Sequence, residues 1–133
     1  MTTTFDRLMA EVLAGVTRFG HREHLHLTWL AVRACGVDGA VPLVSDGIQR
    51  TARNAGAPQK YHATVSRAWV ELVGHHVDAD TDDRADFGAF LARYPALLDK
   101  TLLARHYRST TLAGAAARTG WVEPDLAPLP PRR

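Results

Sequence analysis

The chain has 133 residues, a net charge of +2 and 46% hydrophobic residues, which is typical of one globular domain. So small a charge provides no strong field for nucleic acid or a membrane surface. The single cysteine, Cys35, excludes an intrachain disulfide and fits a reducing cytosol. The amino terminus lacks a leader pattern, and no apolar run approaches ~20 residues. We therefore expect a cytoplasmic protein that does not span a membrane.

Hydrophobic periodicity predicts an all-α fold, a single compact bundle of six or seven helices. The first helix covers residues 4–18 and ends at Gly20. The second covers residues 21–35 and is apolar almost all round, so we expect it at the centre of the bundle. A turn at residues 36–39 leads into a third helix at residues 40–55.

The second half of the chain continues this pattern. A fourth helix is predicted at residues 62–76. The acidic stretch 78–83 is predicted to be a solvated loop, since it lacks the glycine and the bidentate glutamate of an EF-hand. Helices are then predicted at residues 84–94, 95–107 and 109–118.

The C-terminal residues 121–133 are rich in proline, which forbids a helix and favours an extended conformation. The segment also contains Trp121, Val122, Leu126 and Leu129, which are too apolar for a free tail. We expect it to lie across the bundle as a strap, and the sequence leaves open whether it closes a site there. The alternatives are a ligand segment for an SH3-like partner and a surface that pairs two protomers as a homodimer.

Three histidines fall within six residues at the start of the second helix. At ~100° per residue, His21 and His24 lie on the apolar side with Cys35, whereas His26 lies with arginines. Imidazoles three residues apart on a helix can bind one ion, and a hydrogen-bonded structural pair is the alternative. His62 also faces the core, at the start of the fourth helix.

These three side chains suggest a metal site. His21, His24 and His62 would supply three neutral imidazole ligands and leave one position open for water or substrate. Zn²⁺ suits this arrangement, and imidazole also suits Fe, Cu or Ni. The hypothesis is a small metal-dependent enzyme that acts on a small molecule at a buried His-lined site, and it requires both helix starts at the same end of the bundle.

Further residues are assigned to this site by residue type. Tyr61, Thr64 and Glu23 are candidates for proton transfer, although Thr64 and Glu23 lie off the inward faces of their helices. Arginine can hold an anionic substrate group, and aromatic side chains can line a pocket. The predicted substrate-binding residues are Trp29, Trp69, Tyr107, Arg108 and Arg118.

Two other functions fit the same sequence. A metal-free enzyme or binding protein would use His62 or His21 as general acid or base, with Tyr61 and Trp69 lining the pocket. An interaction or DNA-binding module is suggested by residues 47–67, which imitate a helix-turn-helix. The second helix of that motif would begin about three residues too late, and the basic residues are scattered rather than gathered on one face.

The order of motifs resembles a family of small helical bacterial proteins of unassigned activity. The shared patterns are F-x-H-x-x-H-L-x-x-x-W from Phe19, Y-H-x-T from Tyr61 with a Trp five residues after the Thr, and W-V-x-P-D-L-x-P-L-P from Trp121. The family pattern has Glu where this chain has Ala63. The resemblance implies no substrate, and it places His21, His24 and His62 in one pattern.

Overall fold

A computed structural model describes residues 3–80, 82 and 86–131, and every regular element within these ranges is helical. The predicted all-α bundle is therefore confirmed. Three longer helices come first, namely α1 at Thr4–Leu13, α2 at His21–Asn54 and α3 at Ala63–Ala79. Three shorter helices follow, namely α4 at Phe87–Arg93, α5 at Ser109–Ala113 and α6 at Ala115–Thr119.

A capping box starts α1. The Asp6 N–H donates to Thr3 Oγ1 (3.1 Å), and the Thr3 N–H donates to Asp6 Oδ2 (3.3 Å), which satisfies two backbone donors that the helix leaves unpaired. The helix ends at Leu13 rather than at the predicted residue 18. The reason is that Ala14 is extended and Gly15 takes a positive φ of 73°.

The long helix α2 is broken at Gly36, where φ is 69° and ψ is 174°. Only glycine adopts this backbone conformation readily. The chain changes direction there, and α2 consists of two arms, residues 21–35 and 37–54.

The predicted break between two helices is thus present, but it occupies one residue instead of a four-residue turn. Cys35 was predicted on the apolar side and is exposed, because it lies directly at this bend.

The centre of the bundle is the contact between α2 and α3. Val44 of α2 and Val70 and Val73 of α3 are completely buried there. Gly74 allows the two helices to approach closely, since a Cβ atom at this position would overlap the side chain of Val37. Burial of each such valine stabilises the fold by about 1.5–3 kcal/mol relative to its exposed state.

Three segments form 3₁₀-helices. One, Pro58–Lys60, precedes α3, and the predicted helix over residues 95–107 is replaced by two others, Pro95–Leu98 and Lys100–Arg105. Asp99 separates these two, because its backbone is extended and its Oδ1 accepts a hydrogen bond from the Thr101 N–H (2.9 Å). The predicted last helix is likewise divided into α5 and α6 at the extended Gly114.

The C-terminal segment Trp121–Pro131 is extended and lies across the bundle, as predicted. Its backbone pairs with the loop before α5. The Leu126 N–H donates to the His106 carbonyl (2.9 Å), and the Tyr107 hydroxyl donates to the Val122 carbonyl (2.7 Å). Asp125 Oδ1 accepts from the Arg108 N–H (3.0 Å). The segment is therefore held by hydrogen bonds as well as by its apolar side chains.

By length and composition alone, α2 could cross a membrane, since an 18-residue window within it has a mean hydropathy of 1.3. Of that window, 44% is buried inside the fold, and core helices of soluble proteins meet the same criteria. The expected absence of a membrane span stays a prediction.

We expect the substitution Gly36→Ala to lower the free energy of unfolding by about 1–3 kcal/mol, which is the cost of forcing a residue with a Cβ into this backbone region. Apart from the adjacent residues and the nearby backbone of α2, no atom of the described residues lies within 4 Å of the added Cβ, so the loss reports backbone strain rather than a clash. Chemical denaturation would measure it.

Gly88→Ala in α4 is the matched control. The added methyl would lie 3.5 Å from Asp86 Oδ1, an ordinary contact, and alanine favours the helix. Equal stability changes in the two variants would show that the bend at Gly36 does not depend on glycine.

Candidate functional site

A cavity of about 610 Å³ lies where both ends of α2 meet α1 and the start of α3. His21 and His24 line it from the first arm of α2. Tyr61, His62 and Trp69 line it from the segment that leads into α3 and from α3 itself. The two stretches in which the sequence concentrates its histidine and aromatic side chains therefore face one space.

The rest of the wall is largely apolar. Met9 and Leu13 of α1, Ile48 of α2 and Val65 of α3 contribute aliphatic side chains. Leu13 and Phe19 are each 38% exposed although both line the cavity, which places them at its mouth. The size and character of this space are those of a site for a small organic molecule.

His24 is a partly buried polar group of the wall. Burial lowers its pKa to about 4, and the neighbouring His21 contributes in the same direction. The ring meets the edge of Phe19, with centroids 6.3 Å apart. Among the described residues neither ring nitrogen has a hydrogen-bond partner. His24 therefore offers a neutral donor and a neutral acceptor to whatever enters the cavity.

One of the two ring nitrogens of His21 is hydrogen-bonded within the fold. Its Nε2 donates to the Leu97 carbonyl (2.8 Å), which fixes the hydrogen on that nitrogen. The ring packs edge-on against Trp69, with centroids 4.7 Å apart. Only Nδ1 is left to act as an acceptor. The hydrogen bond to Leu97 ties the start of α2 to the second 3₁₀-helix.

Both ring nitrogens of His62 are hydrogen-bonded within the fold. It is the N-cap of α3, where its Nδ1 accepts from the Val65 N–H (3.1 Å). Its Nε2 donates to the Leu112 carbonyl of α5 (2.7 Å). Both ring nitrogens of His62 therefore hold the fold together, although the ring also lines the cavity.

The hydrogen bonding of His62 bears directly on the predicted metal ligands. No group of three His, Cys, Asp or Glu side chains in the described part of the chain is arranged to hold one ion. Ligation by His62 would break one of its two hydrogen bonds, each worth about 0.5–1.5 kcal/mol. His21 and His24 remain as neighbours on adjacent turns of α2, and the metal stays a prediction.

Tyr61 completes the set of free polar groups. It lines the cavity, and its hydroxyl has no hydrogen-bond partner within the described ranges. The other two hydroxyls of the wall are occupied. Thr51 donates to the Gly47 carbonyl (2.8 Å), and Ser66 lies 3.5 Å from Ser45 Oγ. The polar chemistry of the site therefore depends on the imidazoles and Tyr61.

The other two predicted proton-transfer residues lie elsewhere. Thr64 is completely buried, where its hydroxyl donates to the Gly120 carbonyl (2.7 Å) and accepts from the Val122 N–H (3.1 Å). Glu23 Oε1 accepts from the Gly20 N–H (2.9 Å) and so caps α2. Neither side chain lines the cavity, and each performs a structural function.

Four of the predicted substrate-binding residues also lie away from the cavity. Trp29 packs against Phe87 and Phe90. Tyr107 donates to the C-terminal segment, and burial raises its pKa to about 12, so it stays protonated. Arg108 is exposed, and Arg118 donates to the Gln59 carbonyl (2.8 Å) beside the cavity. Trp69 alone of that set forms part of the wall.

The packing bears on two further points of the sequence analysis. The segment predicted as a DNA-recognition helix is turned inward, since Thr64 and Ser66 are buried and Arg67 lies over Trp121 (4.2 Å). The C-terminal strap contacts the start of α3 and the loop before α5, and none of its described residues lines the cavity. The described part of the strap therefore lies outside this site.

One charged residue of the wall was missed. Lys60 lines the cavity and is exposed, immediately before Tyr61 and His62. Its position next to that motif was the available signal. The helices are predicted from regularly spaced apolar residues, and a lysine in a short 3₁₀-helix does not contribute to such a pattern. Lys60 was therefore not distinguished from other charged residues at the surface.

No protein-family model, curated protein or solved structure matches this chain significantly. The similarity to a bacterial family that the motifs suggest therefore stays a prediction, and the chemistry of the site rests on its geometry.

We expect the His24 ring to titrate near pH 4 in the folded protein, against 6.5 for a free histidine. Between these values the unfolded chain binds more protons, so stability falls as the pH is lowered through this window. The shift corresponds to about 3 kcal/mol of stability, present above pH 6.5 and lost by about pH 4.

Two measurements check this expectation. An NMR titration of the imidazole signals would give the pKa directly, and a His24 ring that titrates near 6.5 would contradict its burial. Denaturation of His24→Leu at several pH values should show a shallower loss of stability on acidification than the unsubstituted protein.

Proposed function

We propose that the protein binds a small, largely apolar molecule in this cavity. The observation that carries the proposal is a space of about 610 Å³ with apolar walls and a few unsatisfied polar groups directed at it. Within the described ranges no hydrogen-bond partner is found for the His24 ring or the Tyr61 hydroxyl, and both side chains line the cavity, so these groups are free to pair with a molecule that enters it. That molecule is water or a ligand, and the apolar walls favour a ligand.

The distribution of polar groups supports the choice. Among the residues that the structure describes, His24 and the Tyr61 hydroxyl have no hydrogen-bond partner, whereas His62, Thr51 and Ser66 are hydrogen-bonded within the fold. A ligand with one hydroxyl, carbonyl or amide group could pair with His24, and its apolar part could lie against Trp69. This is the usual composition of a small-molecule site.

Binding is favoured over acid–base catalysis by the pKa of His24. A general base works best when its pKa is close to the working pH. Burial places the pKa of His24 at about 4, which makes it a weak base at neutral pH but leaves its hydrogen-bonding capacity intact. Both ring nitrogens of His62 and one of His21 are hydrogen-bonded within the fold, so the function that the geometry supports best is a binding protein.

A metal-dependent enzyme is the second candidate, and the relative position of His21 and His24 favours it. The two residues lie one turn apart and line the same cavity, with His21 Nδ1 and both nitrogens of His24 unoccupied. A divalent transition metal bound there would activate water or polarise a substrate carbonyl. These two residues would hold it, while His62 would support α3.

The first proposal is tested with a neutral apolar fluorophore, N-phenylnaphthylamine. We expect saturable binding of one equivalent to the unsubstituted protein. Val65→Trp should weaken this binding by at least about tenfold, or about 1.4 kcal/mol, because the indole would occupy the cavity. A fluorescence titration measures both.

Val77→Trp is the control, since Val77 is also a half-buried valine of α3 packed against the core but does not line the cavity. If both variants bind the fluorophore equally well, or if the unsubstituted protein shows no saturable binding, the cavity is not a binding site.

The second candidate is tested by elemental analysis of untagged protein equilibrated with Zn²⁺ and then desalted. About one retained equivalent, lost in both His21→Ala and His24→Ala but kept in His106→Ala, would establish the metal centre. His106 serves as the control because it pairs with the Ala127 carbonyl outside the cavity. Retention that is unchanged in His24→Ala would eliminate this centre.

A further inference from the structure

The side chains that line the cavity carry charge of one sign. Among the lining residues that the structure describes there is no aspartate or glutamate, while Lys60 supplies an ammonium group. A cavity that took a cationic ligand would be expected to contain a carboxylate. The lining residues therefore disfavour a cationic ligand, and the Lys60 ammonium group can pair with an anionic one.

Lys60 lies at the rim rather than at the bottom of the cavity. It ends the 3₁₀-helix Pro58–Lys60, and its side chain is exposed while also lining the cavity. In the described part of the chain no acidic side chain forms an ion pair with it. Its charge is thus available to a molecule that enters.

The surroundings strengthen the positive potential at this rim. The Arg118 guanidinium donates to the carbonyl of Gln59, the residue before Lys60, and so adds a second cation beside it. Glu23, which lies in sequence between the two cavity histidines, has its carboxylate on the Gly20 N–H. Gly20 lines the cavity, so this carboxylate lies behind the wall, where the hydrogen bond holds it, and it does not itself line the space.

We propose that the ligand is an amphipathic monoanion, with a carboxylate paired to Lys60 and an apolar body held against Trp69 and the aliphatic side chains of α1. This inference rests on the proposed function, since it assigns a chemical class to the molecule in the same cavity. An anion buried without a partner would be costly, so the charged group has to lie at the rim. The apolar walls then enclose the remainder.

The test compares acids with alcohols that have the same apolar body. Calorimetric titration at neutral pH would use decanoate against decanol, and naphthoate against naphthalenemethanol. We expect each acid to bind roughly three- to tenfold more tightly than its alcohol, the range for a charge pair at a solvent-exposed rim. Added salt should weaken the acids and leave the alcohols unchanged.

Lys60→Met should remove the preference for acids without changing the alcohols, and Lys60→Arg should keep it. Lys100→Met is the matched control, since Lys100 is the other lysine of the chain and does not line the cavity. It should behave as the unsubstituted protein.

The failures of the two proposals are distinguishable. Equal binding of acids and alcohols, or a preference that survives in Lys60→Met, overturns the anionic class and leaves cavity binding in place. Loss of alcohol binding in Lys60→Met gives the lysine a structural function at the rim and also overturns it. Binding of the fluorophore but of none of these four probes overturns the anionic class alone, and binding of neither the fluorophore nor the probes overturns both proposals.

Discussion

The sharp change of direction at Gly36 is the constraint on which the rest of the structure depends. A straight helix would place His21 and Thr51 about 45 Å apart, at 1.5 Å per residue. Both residues instead line one cavity, because the two arms of α2 fold back on each other at a backbone conformation that only glycine adopts readily. The arms also provide the surface on which α1 and α3 pack. One backbone conformation thus creates both the centre of the bundle and the two opposite walls of the site.

A second constraint is that some polar side chains near the cavity are hydrogen-bonded within the fold, while others line the cavity. The start of α3 uses His62 to cap itself and to hold α5, and it uses Thr64 to hold the backbone of the C-terminal segment. These groups are satisfied inside the protein. His24 and Tyr61 line the same cavity as His62, and neither has a hydrogen-bond partner in the part of the chain that the structure describes. The polar groups that define the site are therefore those that the fold leaves unsatisfied.

The sequence predicted the helical class, the break near Gly36 and the side on which His21 and His24 lie, because these follow from periodicity and from the backbone preference of glycine. It did not predict how His62 is used. A helical wheel shows which face a side chain occupies, but the carbonyl of Leu112 is contributed by an element 50 residues later. The same limit applies to Thr64, whose partners are Gly120 and Val122.

The leucines after Pro95 illustrate a different limit. Their spacing fits an α-helix, yet the cap that Asp99 makes on Thr101 divides the segment into two 3₁₀-helices. Local competition between a side chain and the backbone ladder decided that outcome, and hydrophobic spacing does not register it. Lys60 was missed for a related reason, since its importance comes from the cavity beside it rather than from any periodic pattern.

The placement of the three tryptophans has an optical consequence. Trp29 lies among phenylalanines, and Trp121 lies beneath Arg67 and beside Tyr107. Trp69 alone faces the cavity, with the His21 ring against it. The emission of an indole responds to the polarity of its surroundings. The chain therefore contains its own fluorescent label at the site. A variant that keeps Trp69 and has phenylalanine at the other two tryptophan positions would report occupancy of the cavity through its fluorescence emission.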